Sequence, residues 1–197
     1  MTSSTQNETQ TAPTVAYISI GSNIEPEAHL RQAVALLRER CEVLARCEVL
    51  ASCELLALSS VYQSPAYGFT DQPDFLDIVA KVRTTLTPEQ FKADVLDDIE
   101  RRCGRDRDSQ VNKHGPLTLD MDILLWGDGA AFEFGAKPWR VPNKGITKFA
   151  AVAIPLAELA PEYVHPLDGI TIREIAARFP AEERESVRRV ASAEGYL

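Results

Sequence analysis

The sequence predicts a mixed sandwich of the α+β or α/β class, with helices on one or both faces of a sheet. Three observations carry that reading. Apolar, β-compatible runs at 15–20, 55–64, 75–83 and 119–126 have the length and composition of strands. Stretches with helical spacing separate most of them, so the chain leaves the sheet and returns by long crossovers. At 197 residues the chain can bury one sizeable core, which fits a single domain over 13–197 behind a short tail.

Residues 1–12 are dominated by Ser, Thr, Gln and Asn with almost no apolar content, so a disordered tail is expected there. The first strand, 15–20, breaks at Gly21-Ser22-Asn23. A glycine turn between strand and helix can bind phosphate or can be only a turn, and one glycine does not decide. Glu25-Pro26-Glu27 opens a helix with acids in its first turn, and Leu30, Val34, Leu37, Cys41 and Leu44 follow at helical spacing. Residues 41–58 hold three copies of a Cys-Glu-(Val/Leu)-Leu-Ala-x hexad, too few for a solenoid. The helix should run into the first copy, and a strand should form by Leu55 and continue to Ser64. After a breaker-rich loop at 65–73, residues 75–83 form a strand. Thr87 caps the next helix, with Pro88 at its first position, and Gly104 stops it. Residues 105–114 are a polar, partly basic loop, and arginines there suit phosphate as well as solvent. Beyond Trp126 come a turn-rich excursion at 127–140, a helix from about Lys148, a short helix at 155–161, another at 171–178, and a charged amphipathic helix at 181–193.

Composition limits the partners. Hydrophobic content of 45% and charged content of 25% are ordinary for a globular protein. A net charge of −8 argues against nucleic acid or an anionic membrane held by bulk electrostatics. No apolar run reaches transmembrane length, and the polar N-terminus does not read as a signal peptide. Cys41, Cys47, Cys53 and Cys103 form no Cys-x-x-Cys pair, so reduced thiols in a cytoplasmic protein are expected, without zinc or disulfides.

The chemistry concentrates in Gly115-Pro116-Leu117-Thr118-Leu119-Asp120-Met121-Asp122-Ile123. On a strand, Asp120 and Asp122 share one face and Met121 and Ile123 the other. Two adjacent carboxylates repel and call for a cation or a shared proton. Hard oxygens suit Mg²⁺, which brings waters and phosphates with it. The bland alternative is a solvated acidic strand edge.

Several stretches, in order, resemble the 6-hydroxymethyl-7,8-dihydropterin pyrophosphokinase family. They are 16–23, 59–62, 71–76, 99–105, Gly115-Pro116 with 118–123, and Val141-Pro142. Pro155-Leu156, Glu158-Leu159-Ala160-Pro161 and His165-Pro166 extend the match to cover about residues 14–178. The resemblance implies an α+β, ferredoxin-like sandwich: a mainly antiparallel sheet with helices packed on it. It also implies transfer of pyrophosphate from ATP to a hydroxymethyl pterin with release of AMP. Asp120 and Asp122 would hold two Mg²⁺ ions, and Arg105 and Arg107 would grip the triphosphate. Asp97, Glu100, Ile123 and Asn143 fall at nucleotide positions, and Ser64, Pro65, Tyr67, Phe75 and Asp77 at pterin positions. A monomer or weak dimer is expected. Departures stand out: Leu117 where the family has arginine, Asn143 for histidine, Asp77 for asparagine, and Ala151 for a stacking aromatic, with Phe149 nearby. Lys144 and Lys148 are the candidate replacements for displaced basic residues. Two alternatives follow: a diphosphokinase for another hydroxymethyl heterocycle, or a non-catalytic relative that binds a nucleotide or a protein.

Overall fold

The computed structural model describes residues 12–46, 53–68, 71–105, 115–136 and 138–196. The expected tail at 1–12 and the second hexad copy lie almost wholly outside them, as does Arg107.

The chain begins with strand β1 (Thr14–Ser22), then helix α1 (Pro26–Arg46), then β2 (Cys53–Leu58), β3 (Val61–Ser64) and β4 (Phe75–Thr84). A second helical passage joins α2 (Pro88–Gln90), a π-helical turn (Phe91–Leu96) and α3 (Asp97–Arg102), and leads to β5 (Asp120–Trp126). With β8 (Arg188–Ala191) from the C-terminal end, the sheet order is β5-β1-β4-β3-β8, with β2 pairing β4 alongside β3, and every pairing is antiparallel. Taking β2 and β3 as one interrupted strand, this is the β-α-β-β-α-β plan of the ferredoxin-like sandwich.

Strand alternation sorts the core into two layers. Ala16, Ile18 and Ile20 of β1 and Ile78, Ala80 and Val82 of β4 face α1 and the second helical passage, against Leu30, Val34, Leu37, Phe91, Val95 and Ile99. Tyr17, Val79, Leu124 and Leu125 face the other way, against Ile146, Ala153, Leu156, Ile172 and Ile175. These belong to α4 (Gly145–Lys148), α5 (Ala150–Leu159) and α6 (Ile172–Arg178). A register shift between β1 and β5 accounts for Leu124 and Leu125 both facing the second layer, which restores alternation at Trp126.

Several expectations are met at residue level. The helix from Pro26 runs through the first hexad copy to Arg46. Thr87 forms a capping box with Gln90. Other expectations need correction. The strand expected to run unbroken to Ser64 is interrupted at Ser59-Ser60. There Ser59 Oγ accepts from the Val79 N–H at 2.9 Å, and the Ser60 N–H and hydroxyl donate to Glu158 at 3.0 and 2.9 Å. The excursion at 127–140 contains a two-stranded ribbon, β6 (Phe132–Phe134) with β7 (Trp139–Val141). Pro155 does not start a separate helix but lies within α5. The helix expected over 181–193 is only α7 (Ala181–Ser186), and Arg188–Ala191 pairs with β3 as strand β8. An open sheet edge next to β3 outcompetes the weak helical pattern there.

The cysteines also differ from expectation. Cys41 and Cys53 form a disulfide rather than two reduced thiols, with Cα atoms 4.4 Å apart; Cys103 is free and buried. The antiparallel return from α1 into β2 brings the first and third hexad cysteines together. Among the described residues, no helix is long and apolar enough to cross a membrane.

Candidate active site

Asp120 and Asp122 stand at the first residues of β5, on the face opposite buried Met121 and Ile123. The shared-face geometry read from the sequence therefore holds. Next to β5, strands β1 and β4 place Gly21 opposite both Asp120 and Asp77. A Cβ on residue 21 would stand 2.7 Å from Asp77 Oδ1, so only glycine lets that carboxyl lie against the strand. Gly21 thus serves as a floor for Asp77. Ser64, at the end of β3, donates to Asp77 Oδ2 at 2.8 Å.

Ser64, Asp77 and Asp120 open onto one cavity of about 640 Å³. One wall is Ser64, Pro65, Tyr67, Phe75 and Asp77, all five expected pterin positions. Arg105, Asp120 and Leu117 also line the cavity. Lys148, Phe149 and Ala151 line it from α4 and the start of α5, and the Phe149 ring meets Tyr67 edge-to-face at 4.9 Å between centroids. Phe149 therefore supplies an aromatic ring where Ala151 cannot, and Lys148 brings a cation. Glu183, Ser186 and Val187 contribute too, a role the sequence did not signal for a segment read as surface helix.

Three chain segments are fastened beneath the cavity by buried Asn23. Its amide donates to Gln72 Oε1 at 2.9 Å and to the Pro73 carbonyl at 3.0 Å, and its Oδ1 accepts from the Leu117 N–H at 2.8 Å. The Leu117 carbonyl in turn accepts from the N–H groups of Asn23 and Ile24 at 3.2 and 3.1 Å.

Arg105 is delivered by the end of α3. Gly104 turns at positive φ, and the Arg105 N–H closes onto the Glu100 carbonyl at 2.9 Å. The guanidinium is largely buried, lies 3.7 Å from Asp120 Oδ1, and keeps Nε and Nη1 buried without a partner among the described residues. Buried unpaired N–H groups of a cation are costly and mark where an anion belongs. Asn143 sits on the other carboxylate, donating to Asp122 Oδ2 at 3.4 Å.

The electrostatics are those of crowded acids. Burial pushes Asp77 up to about 7, against the hydrogen bond from Ser64, and the Asp120 charge adds to the rise. Burial likewise raises Asp122, as do the charges of Asp120 and Glu100, while Lys92 and Asn143 oppose the rise. A cation would relieve this repulsion. Among the described residues no group of three His, Cys, Asp or Glu side chains forms a cage for a metal ion. Two carboxylates beside a buried, incompletely paired arginine nevertheless fit Mg²⁺, which takes one or two carboxylates and completes its shell from water and phosphate.

Four expected nucleotide residues, Asp97, Glu100, Ile123 and Asn143, do not line the cavity, and neither does Asp122. Ile123 packs into the first core layer, and Glu100 and Asp97 meet Lys92 on the far side of β5. Lys92 itself was missed. Its signal was a lysine inside the apolar stripe Phe91, Val95, Leu96 and Ile99.

The model of the family described as 7,8-dihydro-6-hydroxymethylpterin-pyrophosphokinase matches residues 17–161. The chain belongs to that family. Curated pyrophosphokinases named for 2-amino-4-hydroxy-6-hydroxymethyldihydropteridine are similar over most of their length. The Pseudomonas aeruginosa protein is 36% identical over 167 residues, 84% of this chain and 92% of that one. The Methylorubrum extorquens protein is 33% identical over 174 residues, 88% and 99% of the two chains. The Bacillus subtilis protein is 33% identical over 146 residues, 74% and 77% of the two. Among solved structures, wild-type Plasmodium falciparum HPPK-DHPS with pteroate superposes with a TM-score of 0.60 at 13% identity. That match covers 90% of this pyrophosphokinase-family chain but 46% of the longer protein, and it concerns the fold.

Proposed function

We propose that the chain transfers pyrophosphate from ATP to the hydroxymethyl group of 6-hydroxymethyl-7,8-dihydropterin, giving the pterin diphosphate and AMP in folate biosynthesis. The observation that carries this is a single cavity lined both by aromatic side chains with the Asp77 carboxyl and by Asp120 with Arg105. A heterocycle on the first and a phosphate chain on the second would meet in one space.

In this reading Phe75, Tyr67 and Phe149 hold the ring, with Ser64 and Pro65 beside it, and Asp77 reads the ring edge. Near neutrality Asp77 populates both forms. Ionised, it accepts from the adjacent ring N–H and amine; protonated, it also donates one O–H to a carbonyl. The replacement of asparagine by aspartate therefore remains compatible with a pterin. Arg105 and Arg107 bind the triphosphate, Lys148 adds charge, and Asn143 orients Asp122. Asp120 and Asp122 hold two Mg²⁺ ions, which when bound neutralise phosphate charge and polarise the attacked phosphoryl group. Catalysis is then mainly positioning, with no covalent nucleophile. Asp97, Glu100 and Ile123 lie near the nucleotide. Residues 13–197 work as one domain, as a monomer or weak dimer, in the cytoplasm where ATP is supplied.

The test is AMP release from ATP and Mg²⁺ in the presence of the dihydropterin. Turnover is expected. Turnover only with another hydroxymethyl heterocycle would redirect the substrate, a reading that Leu117 and Asp77 favour. Failure to bind Mg-ATP would leave a non-catalytic relative.

A further inference from the structure

The edge of β5 is held by a buried ion cluster that none of the site residues explains. β5 pairs with β1 on one side only. On its open side, the backbone of Met121 points outward, between the two site carboxylates. The Met121 N–H donates to Glu100 Oε1 at 2.7 Å, and the Met121 carbonyl accepts from Lys92 Nζ at 2.7 Å. Lys92 and Glu100 are 4% and 1% exposed. Lys92 Nζ also lies 3.1 Å from Asp97 Oδ1, 3.5 Å from Glu100 Oε1 and 4.8 Å from the centre of the Trp139 ring.

The π-helical turn makes this grouping feasible. It runs from Phe91 to Leu96, and the Asp97 N–H bonds the Lys92 carbonyl five residues back. In an α-helix residues five apart stand about 140° apart around the axis. The i→i+5 turn brings Lys92 and Asp97 to one side, which is why such turns recur at functional sites. A buried lysine costs too much to keep for packing alone. Here it is spent on one peptide group of the edge strand.

We propose that Lys92 is a positioning residue for the Asp120–Asp122 pair. With Glu100 it grips the Met121 peptide from both of its polar atoms and so fixes the spacing and direction of the carboxylates on either side. The inference rests on the metal-binding reading of those carboxylates.

The experiment compares Lys92→Met, Lys92→Arg and the double variant Lys92→Met/Glu100→Gln. The double variant keeps an acceptor for the Met121 N–H and leaves no unpaired buried charge, so it is the one expected to fold if Lys92→Met does not. Three quantities are measured alongside circular dichroism: Mn²⁺ binding by electron paramagnetic resonance with a non-hydrolysable ATP analogue, heterocycle binding without nucleotide, and the Mg²⁺ concentration for half-maximal AMP release. In the double variant, Mn²⁺ affinity should fall and the Mg²⁺ requirement rise by about 10–100-fold, the range for outer partners of metal ligands. Heterocycle affinity should stay within about twofold, and Lys92→Arg should recover part of the loss. Unchanged Mn²⁺ affinity, or equal loss of metal and heterocycle binding, overturns the proposal. A wild-type chain that binds Mn²⁺ but releases no AMP refutes the catalytic reading instead, and the Mn²⁺ arm still decides the role of Lys92.

Discussion

The two sides of β5 carry charge in opposite ways. Behind the strand, Lys92, Asp97 and Glu100 satisfy one another and the Met121 peptide, and the cluster is closed within the chain. In front, Asp120, Asp122 and Asp77 gather near Arg105, two of the acids are raised, and two nitrogens of the arginine have no partner among the described residues. One strand carries a cluster whose charges are paired within the chain on one side and a cluster of crowded acids with an incompletely paired arginine on the other. A buried ionic group by itself is thus weak grounds for assigning a site. The unmatched group is the better guide, because its cost in the empty protein is recovered only on binding.

The largest effect should come from cutting the front. Asp120→Asn and Asp122→Asn are each expected to lower Mg²⁺-dependent AMP release by about 10²–10³-fold or more, the scale for losing one preorganised charge contact in the transition state. Circular dichroism should be unchanged. Near-wild-type turnover in either variant would remove that residue from the metal role.

Next comes the titration of Asp77. Its folded value, about 7, lies above the ordinary 3.8, so the folded chain keeps a proton that the unfolded chain releases. This contribution is fully present below about pH 4 and is lost as pH rises to about 7, so stability declines across that window. The three-unit difference corresponds to at most about 4 kcal/mol. Asp77→Asn should remove the decline and stabilise the ligand-free protein above pH 7. Urea unfolding at several pH values checks this, and parallel pH curves for the two proteins would contradict it.

A somewhat smaller effect is expected for Asp77→Ala on binding. Heterocycle affinity should weaken by roughly 2–4 kcal/mol, the range for truncating one partner of a buried charged contact, with Mg-ATP affinity nearly unchanged. Calorimetry with each ligand separates the two, and equal losses would sink the assignment. The smallest effect belongs behind the strand. Trp139→Phe should weaken the ring contact with Lys92 and cost about 0.5–1 kcal/mol of stability, with heterocycle affinity intact. A large loss of heterocycle binding would show that the two sides are not separate.

What was legible in the sequence follows from locality. The capping box at Thr87, the stop at Gly104 and the shared face of Asp120 and Asp122 each depend on a few neighbouring residues, and each appears as read. The cavity wall at Ser64, Pro65, Tyr67, Phe75 and Asp77 was legible through family resemblance, since β3 and β4 must first pair to bring it together. The misses are non-local. Nothing near Arg188–Ala191 announces that β3 has a free edge, and nothing near Cys41 announces that Cys53 returns beside it. Lys92 goes unread because its partner is a backbone carbonyl 29 residues away.

Asn23 makes the loops beneath the cavity report on the whole sheet. Its side chain and the Leu117 peptide join segments from β1, the approach to β4 and the approach to β5. A loop amide ordinarily exchanges its hydrogen through small local openings. The Leu117 amide cannot be released without freeing Asn23, which lies at the end of the central strand pair. Its exchange should therefore be as slow as that of core amides such as Ile18 and Ala80, making a loop hydrogen a clock for global unfolding.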